Sequence, residues 1–276
     1  MEIKQLLLQQ NFRFNKALGQ NFITDGNLLD AIVKDAGVTG EDTVVEIGTG
    51  AGTLTRALSK EAKRVVTFEV DENLRPVLAV TLADCKNVDV IFADVLKLSD
   101  EELKKYVSGP FKVVANLPYY ITTQLLMRFV ESTLDVVDLT LMMQKEVAER
   151  LVAKAGTPEY GAVTVAVDAV GYGKIVRSIG KNMFFPQPKV DSALYCLKID
   201  KNKLKIDDKK FFKKTVKAAF LWRRKTLANN LMTAFSIPKT TAEEILTELG
   251  YDPMIRGEKL SAEEFSVLAR TIKERV

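Results

Sequence analysis

The sequence predicts an α/β fold with a mostly parallel, doubly wound sheet in residues 1–199, followed by a small all-helical domain in residues 200–276. Three observations lead to this prediction. Short apolar segments typical of buried strands alternate with helical stretches, a glycine-rich turn follows the first of those strands, and strand-like segments stop near residue 200. A chain of 276 residues is long enough for one large domain with an appendage of this size.

Five segments carry the predicted parallel sheet. They are rich in apolar and β-branched residues on successive positions, as expected where both faces of a strand are covered. The segments are 43–47 (TVVEI), 64–69 (RVVTFE), 88–93 (VDVIFA), 111–115 (FKVVA) and 138–144 (DLTLMMQ). The helical stretches between them are 52–60, 71–83, 99–106 and 120–132. Alternation of strands and helices at this spacing predicts a doubly wound sheet.

The flanking segments extend this core. Residues 27–36 have their apolar side chains on one side of a helix, so we expect this helix to cover an edge or a face of the sheet. Residues 160–169 fit a helix and a strand equally well. Residues 173–180 and 190–199 predict strands that close the sheet.

Beyond residue 200 the apolar residues recur at helical spacing. They form two groups, Phe212, Val216, Ala219 and Phe220, and further on Ala242, Ile245, Leu246 and Leu249. Ser261 and Glu264 have the spacing of a capping box, which predicts a helix that starts after Ser261.

Positive charge is concentrated in this helical region. The net charge of the chain is +4, but residues 200–276 hold 17 basic against 11 acidic residues, and residues 201–225 hold 11 against 2. The run ends in residues 220–225 (FLWRRK), where an indole and two guanidinium groups stand together. A basic segment with aromatic residues favours a polyanionic partner such as nucleic acid. The alternative is a solvated helix face.

The residue types that are missing restrict the chemistry. The sequence has no histidine and only two cysteines, Cys85 and Cys196, without ligand-like spacing. Histidine-dependent nucleophilic triads are therefore excluded, and neither a disulfide framework nor a metal site is expected. No apolar run approaches the roughly 20 residues of a membrane span, and no secretory signal pattern is found. We therefore expect an intracellular, cytoplasmic protein.

A glycine-rich turn at residues 46–52 (EIGTGAG) follows the first predicted strand and opens a helix. Alternating glycines at this place let the backbone approach a ligand at the carboxyl end of a sheet. Thr53 stands where the G-x-G-x-x-G dinucleotide fingerprint requires glycine, and no G-K-[ST] sequence follows. Neither a usual NAD loop nor a P-loop is predicted. A tight turn without a ligand is the alternative.

Acidic residues lie at three successive strand ends. Glu46 precedes the glycines, Glu69 closes the second predicted strand, and Asp94 follows the third. With Gly48 and Gly50, this arrangement resembles the S-adenosylmethionine loop of Rossmann-like methyltransferases. In such a loop Glu69 would accept hydrogen bonds from both ribose hydroxyls, and Asp94 from the adenine amino group. Each acid alone would also fit a helix cap or a turn.

The loop Asn116-Leu117-Pro118-Tyr119 follows the fourth predicted strand. Pro118 fixes its own backbone and keeps Leu117 out of the helical conformation, so the Leu117 carbonyl can point into the cleft beside the Asn116 side-chain oxygen. Two acceptors suit an amino group with two hydrogens, and Tyr119 offers a ring on which a base can stack. These four residues form the predicted catalytic loop. The alternative is a proline-capped helix start with a packed tyrosine.

Four segments together resemble the ribosomal RNA adenine N6-dimethyltransferase family, and most closely its bacterial small-subunit members. The N-L-P-Y loop is similar to the target-amine motif of adenine-N6 methyltransferases. Residues 16–22 (KALGQNF), 184–192 (FFPQPKVDS) and 223–231 (RRKTLANNL) resemble the family's K-x-x-G-Q-N-F, F-x-P-x-P-x-V-x-S and R-R-K-x-L-x-N-N-L segments, in the family's order. Ala17 and Gln187 replace residues that are common in the family.

The resemblance implies a Rossmann-like methyltransferase that uses S-adenosyl-L-methionine. Residues 1–25 would form an N-terminal segment that contacts cofactor and RNA. The implied cofactor-binding residues are Gln20, Asn21, the backbone of Ile23, Glu46, Gly48, Gly50, Glu69, Asp94 and Asn116. The implied RNA contacts are Tyr119 and Phe184 around a flipped adenine, and Arg223, Arg224 and Lys225 on a basic helix.

The resemblance also implies a substrate. It predicts N6,N6-dimethylation of two adjacent adenosines near the 3′ end of small-subunit (16S) ribosomal RNA, by a monomer that acts on the 30S particle during ribosome biogenesis. Two alternatives remain open. One is a large-subunit methyltransferase of the macrolide-resistance type, which shares the motif plan. The other is an RNA-binding ribosome assembly factor whose methyl transfer is incidental.

Overall fold

The computed structural model describes residues 3–10, 12, 14–15 and 18–275. Lys16 and Ala17, which open the predicted N-terminal motif, lie outside the described residues. The chain divides into two compact units, residues 1–148 with 174–199 and residues 149–173 with 200–276. No helix among the described residues is long and apolar enough to cross a membrane.

The first unit is built on a central sheet. In chain order the strands are β1 (Phe22–Ile23), β2 (Thr43–Ile47), β3 (Arg64–Glu69), β4 (Val88–Phe92), β5 (Phe111–Asn116), β6 (Val136–Gln144), β7 (Gly171–Ile179), β8 (Phe184–Phe185) and β9 (Ser192–Ile199). The sheet has the order β4-β3-β2-β5-β6-β9-β7, with parallel pairing from β4 to β6 and antiparallel pairing between β6 and β9. The predicted mostly parallel, doubly wound sheet is confirmed.

The helices follow the predicted alternation. They are α1 (Ile3–Gln9), α2 (Gly26–Asp35), α3 (Thr53–Glu61), α4 (Arg75–Thr81), α5 (Asp100–Lys104), α6 (Thr122–Val130), α7 (Lys145–Leu151), α8 (Ala162–Asp168), α9 (Lys209–Ala219), α10 (Leu227–Phe235), α11 (Lys239–Glu248) and α12 (Ala262–Arg275). The predicted helix 71–83 is shorter, because residues Glu72–Leu74 form a 3₁₀ turn capped by the Asp71 side chain before α4 begins.

Helix α2 has the predicted amphipathic character. Asp25 caps it by accepting a hydrogen bond from the Leu28 amide at 2.9 Å. Its buried residues Leu28, Leu29, Ile32 and Val33 join a core cluster that also contains side chains of β2, α3 and β3. The helix is therefore held against the sheet by its apolar side, as expected.

The parallel register brings four strand ends to one edge of the sheet. Glu46 of β2 pairs with Thr67 of β3, and Glu69 at the end of β3 pairs with Phe92 of β4. On the other side of β2, strand β5 ends at Asn116. The glycine turn, the acidic strand ends and the N-L-P-Y loop therefore share the carboxyl edge, where doubly wound sheets bind ligands.

The short pairing of β1 with β8 was not predicted. Phe22 pairs with Phe185 and Ile23 with Phe184 in an antiparallel arrangement. Around it, the rings of Phe12, Phe14, Phe22 and Phe185 form a cluster with centroid distances of 5.4–6.2 Å. This pairing and the ring cluster attach the N-terminal segment to the loop that follows β7.

The second unit takes in more of the chain than the predicted boundary at residue 200. Residues 149–173 belong to it, because Tyr160, Val165 and Ala169 are buried in one core cluster with side chains of α9 to α12. The ambiguous segment 160–169 contains helix α8, whose Ala162 and Val165 pack in that helical core.

The predicted capping box of α12 is present. Glu264 donates its backbone N–H to the Ser261 hydroxyl at 3.2 Å, and the Glu264 carboxylate accepts from the Ser261 backbone N–H at 2.7 Å. These two bonds use backbone groups that a helix start leaves without intrahelical partners.

We expect Ser261→Ala to lower the free energy of unfolding by about 1 kcal/mol, since it removes the side-chain half of this box. Chemical denaturation followed by circular dichroism measures the change. Ser266→Ala, the same substitution within α12, is the matched control and should change stability by less than about 0.5 kcal/mol. Equal effects of the two substitutions would contradict the capping role.

Candidate active site

A cavity of about 540 Å³ lies at the carboxyl edge of the parallel strands. Small-ligand sites have volumes of roughly 300–1,000 Å³, so the cavity is large enough for a nucleoside-sized molecule. Among its lining residues are Gln20, Asn21, Gly48, Gly50, Glu69, Asp94, Asn116, Leu117, Pro118, Tyr119 and Phe184. The structure thus brings together most of the predicted site residues. Ile23 and Glu46 lie behind the wall, each with 1% of its surface exposed.

The glycine turn needs glycine for conformation and for packing. Gly48, Gly50 and Gly52 have φ values of 80°, 55° and 81°, in the left-handed region that disfavours other residues. A Cβ on Gly50 would lie 2.9 Å from a ring carbon of Phe22, and one on Gly52 would lie 2.8 Å from the Thr81 hydroxyl. The turn is therefore closely packed on Phe22 of the N-terminal segment and on helix α4.

Glu69 holds this turn in place. Its Oε2 accepts from the Gly50 amide at 2.8 Å, and its Oε1 accepts from the amides of Val70 and Asp71 at 2.8 and 2.9 Å. Burial raises the pKa of the Glu69 carboxyl, while the three backbone hydrogen bonds oppose that shift. A carboxylate offers about four acceptor positions, so one remains, on Oε2. The position left on Oε2 is compatible with a ribose hydroxyl, and acceptance from both hydroxyls stays a prediction.

Asp94 lines the cavity and also shapes a turn. Its Oδ1 accepts from the Leu96 amide at 3.0 Å, and its Oδ2 lies 3.6 Å from the Lys97 ammonium. Asp94 therefore stabilises a turn, as one alternative had it, and also lines the cavity. Lys97 is largely exposed, so its ion pair with Asp94 is weak and leaves the carboxylate accessible.

The N-terminal segment is tied to the sheet through Gln20. The Gln20 side chain donates from Nε2 to Asp71 Oδ2 at 2.7 Å and accepts at Oε1 from the Asn15 amide at 2.9 Å. The Asn21 side chain donates to the Gly19 carbonyl at 3.1 Å. Gln20 was predicted to bind cofactor, but both ends of its amide are engaged within the protein. Sequence reasoning missed Asp71, although it stands two residues after Glu69.

The orientation of the Asn116 amide is determined by its neighbour. Its Nδ2 donates to the Asn21 backbone carbonyl at 2.9 Å. A carbonyl can only accept, so the NH₂ end must face Asn21, and Oδ1 becomes the acceptor end of the side chain. The predicted acceptor role of Asn116 is compatible with this geometry.

The rest of the loop leads directly into α6. The Pro118 carbonyl accepts from the Ile121 amide at 3.2 Å and from the Thr122 hydroxyl at 3.3 Å. A Cβ on Gly19, whose φ is 58°, would lie 3.2 Å from Pro118 Cβ. The loop therefore begins a helix, as in the alternative of a proline-capped helix start. It also lines the cavity beside the N-terminal segment.

Two aromatic residues of the predicted target site, Tyr119 and Phe184, are held by contacts within the protein. The Tyr119 hydroxyl lies 2.7 Å from Ser192 Oγ, and burial raises the pKa of this phenol. Phe184, with 6% of its surface exposed, belongs to a core cluster and reaches the cavity at its edge. Tyr120 also lines the cavity, and it is 65% exposed.

Glu46 is a support of the turn and not part of the cavity surface. Its Oε2 accepts from the Thr55 hydroxyl at 2.6 Å, whereas its Oε1 is buried without a hydrogen-bond partner among the described residues. Burial raises the pKa of Glu46 from 4.5 to about 8, against the lowering effect of the hydrogen bond from Thr55. From the sequence alone, an acidic residue at a buried strand end cannot be distinguished from one that faces a ligand. Here helix α3 covers Glu46 through Thr55.

The backbone of Ile23, which was expected to close over the cofactor, is used differently. Its carbonyl accepts from the Thr53 hydroxyl at 3.1 Å, which connects β1 to the first residue of α3. This contact supports the segment from behind the cavity wall.

The basic motif of the second unit lies in a turn, which corrects the prediction that it lies on a helix. Arg223, Arg224 and Lys225 fall between α9 and α10, and all three are exposed. The Arg223 guanidinium nevertheless donates to the carbonyls of Pro158 at 2.5 Å and Tyr160 at 3.2 Å. Arg223 is therefore a structural contact within its unit, whereas the exposed Arg224 and Lys225 stay candidates for RNA binding.

Comparison with known proteins identifies what the chain is similar to. The family profile described as "Ribosomal RNA adenine dimethylase" matches residues 11–271. Two proteins named ribosomal RNA small subunit methyltransferase A are similar along nearly their whole length. The one from Clostridioides difficile is 46% identical over 99% of this chain and 96% of the relative, and the one from Bacillus mycoides is 45% identical over 98% and 94%.

Solved structures share the fold. A dimethyladenosine transferase from Plasmodium falciparum aligns with a TM-score of 0.78 at 24% identity, over 92% of this chain and 98% of the other. The 23S rRNA methyltransferase ErmE aligns with a TM-score of 0.69 at 24% identity, over 92% and 100%. At this identity the alignments support the fold alone.

The buried Glu46 predicts a pH dependence of stability. Because its folded-state pKa of about 8 lies above the ordinary value of 4.5, the folded protein binds an additional proton between these values, and stability falls as pH rises through that window. We expect Glu46→Gln to remove this loss. The variant should gain stability relative to the parent between pH 5 and 8, by up to about 1.4 kcal/mol per pH unit.

Denaturant unfolding at several pH values measures this difference. Glu61→Gln, at an exposed position in the last turn of α3, is the matched control and should give a difference that does not vary with pH. A stability difference for Glu46→Gln that stays constant from pH 5 to 8 would show that the carboxyl is ionised throughout.

Proposed function

The chain belongs to the ribosomal RNA adenine dimethylase family, and from this membership we propose that it dimethylates N6 of two adjacent adenosines near the 3′ end of small-subunit (16S) ribosomal RNA, with S-adenosyl-L-methionine as methyl donor. The observation that carries the proposal is the Asn116 amide, whose NH₂ end is held by the Asn21 carbonyl so that its oxygen is the acceptor end at the cavity. The names of the small-subunit relatives support the choice of subunit.

The residues at the glycine turn fit the methyl donor. The Oε2 of Glu69 and the carboxylate of Asp94 are acceptors that suit hydroxyl and amino groups, and the cavity of about 540 Å³ is large enough. The backbone of Gly48 and Gly50 would contact the donor between these acids. When bound, S-adenosyl-L-methionine supplies an electrophilic methyl group on a positively charged sulfur.

The N-L-P-Y loop would prepare the amine. The N6 nitrogen of adenine is a weak nucleophile because its lone pair is delocalised into the ring. Asn116 Oδ1 and the Leu117 carbonyl would accept its two hydrogens, orient the lone pair and stabilise the positive charge that develops on nitrogen. Holding the amine at a fixed place supplies a further part of the rate enhancement. The alkylated nitrogen is strongly acidic and releases its proton without a histidine base, and the chain contains no histidine.

The target base would be held by stacking. An adenine must be unpaired or extruded to reach the cavity, and stacking on Tyr119 compensates for lost stacking in RNA by roughly 1–3 kcal/mol. The contact between the Tyr119 hydroxyl and Ser192 holds the hydroxyl end of the ring in place. Phe184 would offer its edge on the other side of the base. Proteins that act on RNA in this way need further contacts, and the exposed Arg224 and Lys225 would supply them.

The test of the proposed function is methyl transfer to purified, unmodified ribosomal subunits. We expect labelled product on the small subunit only, and mass spectrometry should find two adjacent dimethylated adenosines. Asn116→Ala should reduce transfer by about 10²-fold or more while subunit binding stays nearly intact, since it removes a preorganised acceptor. Asn202→Ala, at an exposed position of the second unit, is the control and should behave as the parent.

Three outcomes would contradict the proposal. Product on the large subunit alone would favour the macrolide-resistance type of enzyme. Unchanged methylation by Asn116→Ala would leave the loop with only a structural role, and loss of subunit binding in the same variant would point in the same direction.

The basic turn yields a separate prediction about RNA affinity. We expect Arg224→Ala and Lys225→Ala each to weaken binding to the small subunit and to reduce the slope of log K against log salt by about one, because each loses one phosphate contact. Arg223→Ala should instead lower the thermal stability, since it removes the hydrogen bonds to Pro158 and Tyr160. A salt slope unchanged by the first two substitutions would remove these side chains from the interface.

A further inference from the structure

We propose that Asp71 is a positioning residue for methyl transfer: through Gln20 it holds the Asn21 carbonyl against Asn116, and so determines which end of the Asn116 amide faces the cavity. The inference rests on the proposed function, since it concerns the amide that would accept the target amine. Neither Asp71 nor this role of Gln20 was expected from the sequence.

A continuous series of contacts joins Asp71 to Asn116. Asp71, with 5% of its surface exposed, accepts from Gln20 Nε2 at 2.7 Å. The next residue along the chain is Asn21, whose carbonyl accepts from Asn116 Nδ2 at 2.9 Å. A shift of residue 20 therefore moves the carbonyl that orients Asn116.

Asp71 is itself a fixed point. Its Oδ1 accepts from the backbone and side-chain nitrogens of Asn73 at 3.1 and 2.8 Å. Its amide donates to Glu69 Oε1 at 2.9 Å, and Glu69 in turn holds the Gly50 amide. The end of β3 thus holds the glycine turn through Glu69 and the N-terminal segment through Asp71.

The orientation of Asn116 matters because an asparagine amide has a donor end and an acceptor end. If the amide turned over, its NH₂ group would meet the NH₂ group of the target base, and two donors cannot form a hydrogen bond. The Asn21 carbonyl excludes that state by accepting only from NH₂. Loosening of residues 18–21 would therefore impair the transfer step before it impairs the fold.

The Asp71–Gln20 hydrogen bond can be reversed in polarity, which provides the test. Asp71→Asn places an NH₂ group against the NH₂ group of Gln20. Either amide can turn over, but then two donors meet at Asn73 or at Asn15 instead. Gln20→Glu places two carboxylates against each other. In the double variant the new amide at position 71 donates to the new carboxylate at position 20, which still accepts from the Asn15 amide.

We expect each single substitution to lower kcat for methyl transfer by about tenfold or more, the usual effect of losing a hydrogen bond to a charged group, with a smaller change in KM. The double variant should recover to within about threefold of the parent. Hydrogen exchange of the Asn15 amide, which reports the segment without any methyl transfer, should speed up in Asp71→Asn and slow again in the double variant.

The outcomes separate this inference from the proposed function. A parent protein that methylates no ribosomal RNA would overturn the proposed function, while the exchange measurement would still test the contact. A parent that is active, with kcat unaffected by Asp71→Asn or with losses that add in the double variant, would overturn the positioning role alone. Equal thermal stability of parent and single variants would show that the loss of kcat does not come from unfolding.

Discussion

The site depends on the hydrogen bonds that converge on the carboxylate of Glu69 at the end of β3. Three backbone amides donate to it, and they belong to the glycine turn on one side and to residues 70 and 71 on the other. A buried carboxylate without such partners would cost several kcal/mol. The left-handed backbone of Gly50 places its N–H toward the acid, so the glycine conformation and the buried charge require each other. The same acid lies close enough to Glu46 to add to the raised pKa of that buried carboxyl.

The N-terminal segment connects the two halves of the cavity. Phe22 packs on Gly50 of the turn, while Gly19 packs on Pro118 of the N-L-P-Y loop. Pairing of β1 with β8 adds Phe184, so the segment beside the proposed cofactor half is also joined to an aromatic wall of the proposed target half. Both halves are therefore in contact with the same short segment, residues 19–23. Donor and amine would accordingly be aligned by the same few residues.

The sequence was informative where a feature has a period or a fixed place on a strand, and uninformative where a contact joins distant residues. The parallel strands and the glycine turn are local patterns, so they were predicted nearly to the residue. Strand β1 has two residues and pairs with β8 more than 150 positions away. Two residues are too few to show a periodic pattern, and the sequence does not indicate such a distant partner. The hydrogen bond between Asn21 and Asn116 also joins residues that are far apart in the sequence. Helix α8 was ambiguous because its valines at every second position fit a strand, while Ala162, Val165 and Ala169 have helical spacing. Only burial in the second unit decides between the two.

The basic turn shows how residues of equal charge acquire different roles from backbone geometry. Asn230, with 1% of its surface exposed, donates from Nδ2 to the carbonyls of Ala219 and Trp222 and so fixes the chain on both sides of Leu221. This turn directs Arg223 back to its own unit, and it leaves Arg224 and Lys225 exposed. A backbone already held by these bonds would lose less conformational entropy if Arg224 and Lys225 bind a phosphate. The ring of Trp222, which is 47% exposed beside them, would then be able to stack on a base that such phosphate contacts bring near. The turn therefore offers charge and a stacking surface from one fixed piece of backbone, which a flexible lysine-rich segment of the same composition would not.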